Sequence, residues 1–242
     1  MTNTNLSGKT VLVIGGSAGI GLSIARIAAS EGARVHVASR GVTNREGNLE
    51  AAAYHQCDAK SEESLDQLFK AIGRVDHVAM TVHESAARLG IDTTADKMNL
   101  DAVMEYCNGK FFSQYRVVKA ALPHLASGGS ITLTSGVASR ATMANHSAIS
   151  AVNAAIEACV RQLAKELAPH RMNAVAPGVT ATTTYDAMLP AAKEDFVKKI
   201  AAKVPLQRIA SAEEVALAYI FAMKSGYVSG SVIDVSGGQL VA

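Results

Sequence analysis

The chain lacks a long apolar run, a surplus of either charge and a usable set of cysteines. Its 242 residues carry 23 Lys and Arg against 21 Asp and Glu, a formal net charge of +2. That balance gives no basic face for nucleic acid and no patch for an anionic membrane. No segment is long and apolar enough to read as a bilayer span. Cys57, Cys107 and Cys159 are odd in number and far apart. They form neither a disulfide framework nor a metal-ligand spacing, and buried thiols in a reducing compartment are the expectation. Residues 1–9 are polar and do not read as a secretory leader, so a cytoplasmic location is expected. Internal repeats and low-complexity linkers are absent too. What the chain does have is 49% hydrophobic and 18% charged residues, enough for one α/β domain over residues 1–242 with a well-buried core.

The most informative stretch is Val11-Leu12-Val13-Ile14-Gly15-Gly16-Ser17-Ala18-Gly19-Ile20-Gly21. An apolar β-branched run predicts a strand buried on both faces. It leads through a glycine turn into a segment with helical periodicity. A helix N-terminus presents unpaired N–H groups and the positive end of its dipole, which makes an anion site. In this register Gly15 permits a tight turn, Gly19 lets the backbone approach a pyrophosphate, and Gly21 lets helix and strand pack closely. Ile20 lies in the same turn, and Ser17 can donate its hydroxyl to a phosphate. A helix entry without a ligand is the plainer alternative.

Strands and helices then alternate. Strands are expected at 34–38, 54–57, 75–81, 130–134, 171–176 and 231–235. Helices are expected from 22 to about 31, 61 to 72, 101 to 122, 145 to 167 and 211 to 223, and a brief one is possible within 44–53. This predicts one doubly wound parallel sheet of about seven strands with helices on both faces. Ser39-Arg40 ends the second strand, where a carboxylate would bind the ribose 2′-hydroxyl of NAD. An arginine there instead favours the 2′-phosphate of NADP(H) over NAD(H); the alternative is a solvated surface arginine. Asp58 can accept from an adenine amino group or act as a turn residue, and both roles are compatible. Thr81, Val82 and His83 come after the fourth strand, at the point where strand order reverses, and should border the cofactor. Residues 180–203 have a polar start and then an amphipathic helix, the pattern of a lid over a partly apolar substrate.

Taken together, the residues resemble the short-chain dehydrogenase/reductase family along nearly the whole chain. Gly15 to Gly21 is similar to its TGxxxGIG turn, with Ile14 in place of threonine. Asn173-Ala174-Val175-Ala176-Pro177-Gly178 resembles its N-x-V-x-P-G segment. Arg208, Glu213-Glu214-Val215-Ala216, Gly230 and Gly237-Gly238 match its C-terminal pattern in order and spacing. The resemblance implies a Rossmann-type domain that binds NAD(P)(H), with Pro177, Gly178 and position 153 near the cofactor. It also implies a homo-oligomer, a dimer or a tetramer built on the two long helices.

The resemblance further implies a catalytic Asn, Ser, Tyr and Lys, and these are not at their posts. The asparagine position falls on Lys110, the serine position on Gly136 with Ser135 beside it, the tyrosine position on Ile149 and the lysine position on Asn153. No tyrosine occurs between Tyr115 and Tyr185, and no lysine between Lys119 and Lys165, so no slip of register restores the set. Isoleucine transfers no proton. Asn153 can still bond a ribose hydroxyl. His146, one helical turn before Ile149, is one candidate acid; Lys110 is a second, with a solvated helix face as its alternative. Ser135 and, less directly, Ser147 can orient a substrate. The expectation is an atypical NADP(H)-dependent reductase of a C=O, C=N or conjugated C=C bond. A cofactor-binding protein without redox chemistry, a cyclase, isomerase or NADP(H) sensor, is the alternative.

Overall fold

The computed structural model describes residues 5–41, 49, 52–82, 84–91, 93–183 and 188–241. His83 and Tyr185, and most of the brief helix expected within 44–53, lie outside the described residues; Ala52 and Ala53 belong to a strand. Seven parallel strands form the central sheet: β1 (Thr10–Ile14), β2 (Arg34–Ser39), β3 (Ala52–Gln56), β4 (Val75–Met80), β5 (Leu125–Thr134), β6 (Arg171–Pro177) and β9 (Val232–Val235). Their order is β3-β2-β1-β4-β5-β6-β9. Two short strands, β7 (Thr180–Ala181) and β8 (Ala210–Ser211), pair apart from it. Every residue of β1 is buried, as an apolar central strand covered on both faces requires.

Helices α1 (Gly19–Ser30) and α8 (Ala212–Lys224) pack together on one face, where Ile24, Ala25, Val215 and Tyr219 meet β1 and β2. On the other face lie α2 (Glu62–Ile72), α5 (Ser113–Ala121) and α6 (Ser147–Glu166), with Phe69, Val118, Ile156 and Val160 in its core. The short α3 (Ala86–Leu89), α4 (Leu100–Cys107) and α7 (Pro190–Ala201) complete the set. Local signals end the elements where the chain predicts. Ser61 caps α2 by accepting from Ser64 N, and Gly73 stops it. Ser211 and Glu214 close a capping box on α8. Among the described residues no helix is long and apolar enough to cross a membrane.

Three expectations need correction. The helix foreseen over 101–122 is interrupted by a π turn, Asn108–Phe112, between α4 and α5. The turn passes close beneath Glu84: a Cβ at Gly109 would lie 2.8 Å from Glu84 Cβ, so only glycine fits there. The strand foreseen at 130–134 begins earlier, at Leu125, because Gly128 and Gly129 form an irregularity within β5 and do not reverse the chain. The helix foreseen from Asn145 starts at Ser147, since Asn145 adopts a left-handed φ of 64°.

His77 on β4 is buried and shares a 2.9 Å hydrogen bond with Ser130 Oγ. Burial, reinforced by the Arg171 charge, lowers its pKa to about 4. The unfolded chain protonates this histidine below about pH 6.5, while the native state keeps it neutral until about 4. Stability is therefore lost as pH falls through that window. Chemical denaturation at pH 7 and pH 4.5 should show that His77→Asn removes an acid-side loss on the order of 2 kcal/mol from the wild-type profile.

Candidate active site

The carboxyl ends of β1 and β4 diverge at the reversal of strand order, and the cleft opens there. Gly15 has a φ of 90°, and a methyl on it would lie 2.7 Å from Thr81 Oγ1. A methyl on Gly21 would lie 2.3 Å from Gly15 O and 2.6 Å from Thr81 Oγ1. The first turn of α1 is thus packed on the Gly15 loop with no room for a side chain. Thr81 ties the two strand ends, its N–H and hydroxyl both donating to Ile14 O at 2.8 and 3.1 Å. Ser17, Gly19 and Ile20 line the same cleft with Gly15 and Gly21.

The cleft continues past the ends of β2 and β3. Ser39, Arg40 and Asp58 line it. Ser39 Oγ is buried without a hydrogen-bond partner among the described residues, an orphaned donor that a phosphate oxygen would satisfy. Asp58 accepts from Lys60 N at 3.0 Å, so it serves as a turn residue and still borders the cleft. The glycine turn, the orphaned hydroxyl and the adjacent guanidinium fit a phosphorylated dinucleotide. When bound, such a cofactor would supply hydride chemistry through its nicotinamide.

Beyond the glycine turn, the other expected site residues separate. Lys110 is 7% exposed and not on a solvated face. The π turn rotates it inward, and Nζ donates to Ser135 O at 3.1 Å. Burial lowers its pKa to about 8. Ser135 does not present its hydroxyl to the cleft: Oγ donates to Glu157 Oε1 at 3.1 Å. Its contribution is the backbone carbonyl that receives Lys110. Asn153 is 2% exposed, its Oδ1 has no partner among the described residues, and its Nδ2 lies 3.1 Å from where a Gly136 Cβ would be.

His146 occupies the N-cap of α6, with Nδ1 2.7 Å from Ala144 O. It borders a neighbouring cavity with Thr93, Thr94, Met143, Ser147 and Ser150. The helix face it was expected to share with Ile149 is split, because Ile149 packs against the apolar cluster of Ile91, Tyr106 and Val152. Gly178 lines a third cavity with Ile200, Val204 and Arg208, and neither it nor Pro177 lines the glycine-turn cleft.

Two groups of site residues escape a sequence reading. Glu84, 4% exposed, lines the cleft and pairs with Lys60 Nζ at 3.0 Å and with Arg88. Burial pushes its pKa up, but the two cations hold it below the usual carboxylate range. Glu157 is buried among Ser135, Ser139 and Arg140. Glu84 and Arg88 have an i,i+4 spacing that hints at pairing; nothing local marks Lys60 or Glu157 as partners across the fold.

Residues 15–239 match the family model described as Enoyl-(Acyl carrier protein) reductase. A short-chain dehydrogenase/reductase of Stachybotrys chlorohalonatus is 31% identical, across 98% of both chains. Another, of Gibberella fujikuroi, is 30% identical across 99% of this chain and 97% of its own. Among solved structures, a small-chain dehydrogenase in complex with NADPH is 33% identical, with a TM-score of 0.84 and coverage of 98% and 100%. With the parallel sheet and the glycine cleft between β1 and β4, these likenesses establish that the chain belongs to the short-chain dehydrogenase/reductase family of oxidoreductases.

Proposed function

We propose that this protein is an NADP(H)-dependent reductase of a C=O, C=N or conjugated C=C bond in a small, partly apolar molecule. The observation that carries the reading is the end of the cleft at β2. Ser39 Oγ is buried and unsatisfied there, and Arg40 borders the same space with no ion-pair partner among the described residues. A guanidinium beside an unspent hydroxyl matches a 2′-phosphate and would be wasted on a 2′-hydroxyl. The similar small-chain dehydrogenase holds NADPH, which is consistent. In this reading Ser17 and the N–H groups opening α1 take the pyrophosphate, and Asp58 takes the adenine amino group. The nicotinamide half would extend past the glycine-turn cleft, toward Pro177 and Gly178 at the end of β6.

The proton comes from a group other than tyrosine. Two candidates are Lys110, buried next to the cleft-lining Gly109, and His146, which borders a separate cavity and holds Ala144 O through Nδ1. His146 borders the cavity beside the site, suited to hold the substrate. Ser135 acts through its backbone. Ile149 at the tyrosine position favours a second reading, in which a bound cofactor serves cyclisation, isomerisation or sensing without hydride transfer. Most of the exposed large apolar residues fall into two groups. Leu100, Met104, Phe112 and Tyr115 lie along α4, the π turn and α5, and Leu217, Phe221 and Tyr227 lie on and after α8. Two such surfaces support a homotetramer over a dimer.

Three outcomes test these assignments. In fluorescence titrations NADPH should bind at least about tenfold more tightly than NADH, and Arg40→Glu should reverse that preference by placing a carboxylate against the phosphate. With carbonyl, imine and enone panels, NADPH absorbance should fall; tight binding with no turnover on any would favour the non-redox reading. His146→Phe should raise KM several-fold while changing kcat less, as expected of a residue that orients the substrate. A loss confined to kcat, on the order of 10²–10⁴-fold, would make it the acid instead.

A further inference from the structure

Two buried side chains reach the Ser135–Gly136 peptide from opposite helices. Lys110 comes from the π turn and Asn153 from α6, and these two segments pack on each other. The Lys110 ammonium has three N–H donors, and one is given to Ser135 O. Asn153 keeps a buried carbonyl oxygen beside Gly136 that has no partner among the described residues. An ammonium with donors to spare and an amide oxygen with nothing to accept are complementary needs at one place.

Among the described residues no carboxylate answers the charge. Glu84, beside Gly109, is held by Lys60 and Arg88. Glu157 is held by Ser135, Ser139 and Arg140. Burial alone lowers the affinity of Lys110 for its proton, which suits a donor working near neutral pH. A group that meets both needs must accept from nitrogen and donate to a carbonyl. A hydroxyl does both. An iminium ion brings its own positive charge against Lys110.

We propose that Lys110 and Asn153 form one oxygen-holding unit: the ammonium gives its proton to the substrate oxygen, and the Asn153 carbonyl accepts the hydroxyl so formed. Resting on the reductase reading for its hydride, this narrows the reducible group to a ketone, an aldehyde or a conjugated enone and excludes an iminium ion. As the substrate carbon gains a hydride, the electron pair of the C=O bond, directly or through the conjugated C=C, moves to oxygen. One N–H bond of Lys110 breaks and an O–H bond forms; the neutral amine regains a proton from water. Lys110 is the catalytic residue of the pair and Asn153 its positioning residue.

The pair can be tested without cofactor or substrate. Lysines labelled with 13C at Cε are titrated by NMR in the free protein, with the Lys110 signal assigned from Lys110→Met. The wild-type signal should titrate near 8. Asn153→Asp should raise that midpoint by at least about one unit, since a carboxylate within reach favours the ammonium. Asn153→Leu, which serves if the aspartate variant does not fold, should lower it. Midpoints unmoved in folded variants would overturn the pairing, whatever the cofactor does. In the second arm, NADPH consumption is measured with ketone, enone and cyclic iminium panels. Wild type should prefer the oxygen compounds at least about tenfold, and Lys110→Met should lose about 10²–10⁴-fold in kcat on them. A preference for the iminium panel would overturn the substrate assignment. No turnover with either panel would sink the reductase reading and the proton transfer with it, and the titration alone would then decide the pair.

Discussion

The site depends on the contact between Gly21 and the Gly15 carbonyl. At that point the first turn of α1 rests on the loop leaving β1, at a separation that no Cβ could share. Because the helix begins there, its first residues, Gly19 to Gly21, line the cleft, where the unpaired N–H groups of a helix start are available to an anion. Because Thr81 closes on both, donating twice to Ile14 O, the end of β4 is fixed against the same loop. The phosphate-facing backbone, the strand reversal and the entry to the rest of the cleft are held by one close approach. A methyl group at any of these atoms would shift all of them.

The chemistry of the far end depends on a second local constraint, the π turn between α4 and α5. One additional residue in a helical turn rotates the side chains after it about the helix axis, and such turns are often found at functional sites. Here the rotation puts Lys110 inside the protein, against Ser135 O. Gly109 makes this possible by leaving room for Glu84, and Glu84 stays in place because Lys60 and Arg88 neutralise it. An ion cluster around the buried Glu84 and a buried amine are therefore neighbours in one arrangement. Burying a cation without a paired carboxylate is costly. The cost is partly offset by the carbonyl it bonds and by a pKa that allows the proton to leave.

The range of each interaction decides how much of the site is legible in the chain. The glycine turn, the strand periodicities and the Ser211–Glu214 box are set by residues within a few positions of one another, and they were legible. So was the position of Arg40 on the cleft, because that position follows from its place after a strand. The π turn was not, since Asn108 to Phe112 carry an ordinary helical pattern and Glu84, which packs on Gly109 within it, lies about 25 residues earlier in the chain. Lys110 looked like a solvated helix residue for the same reason. Ser135 was legible as a site position but not in its role, because its hydroxyl answers to Glu157, 22 residues on.

Lys110 and Asn153 also bear on what replaces a missing tyrosine. Tyrosine at position 149 would bring a donor from α6 itself. Isoleucine there packs with Ile91 and Tyr106 instead, so that face of the helix contributes apolar surface. Lys110 brings a positive charge to Ser135 O from the π turn, and Asn153 on α6 is an amide, not a second cation that would repel it. Gly136 fits the same arrangement, since any side chain at that position would press on Asn153 Nδ2. The side chains at positions 110, 136, 149 and 153 are thus mutually compatible in their packing and hydrogen bonding.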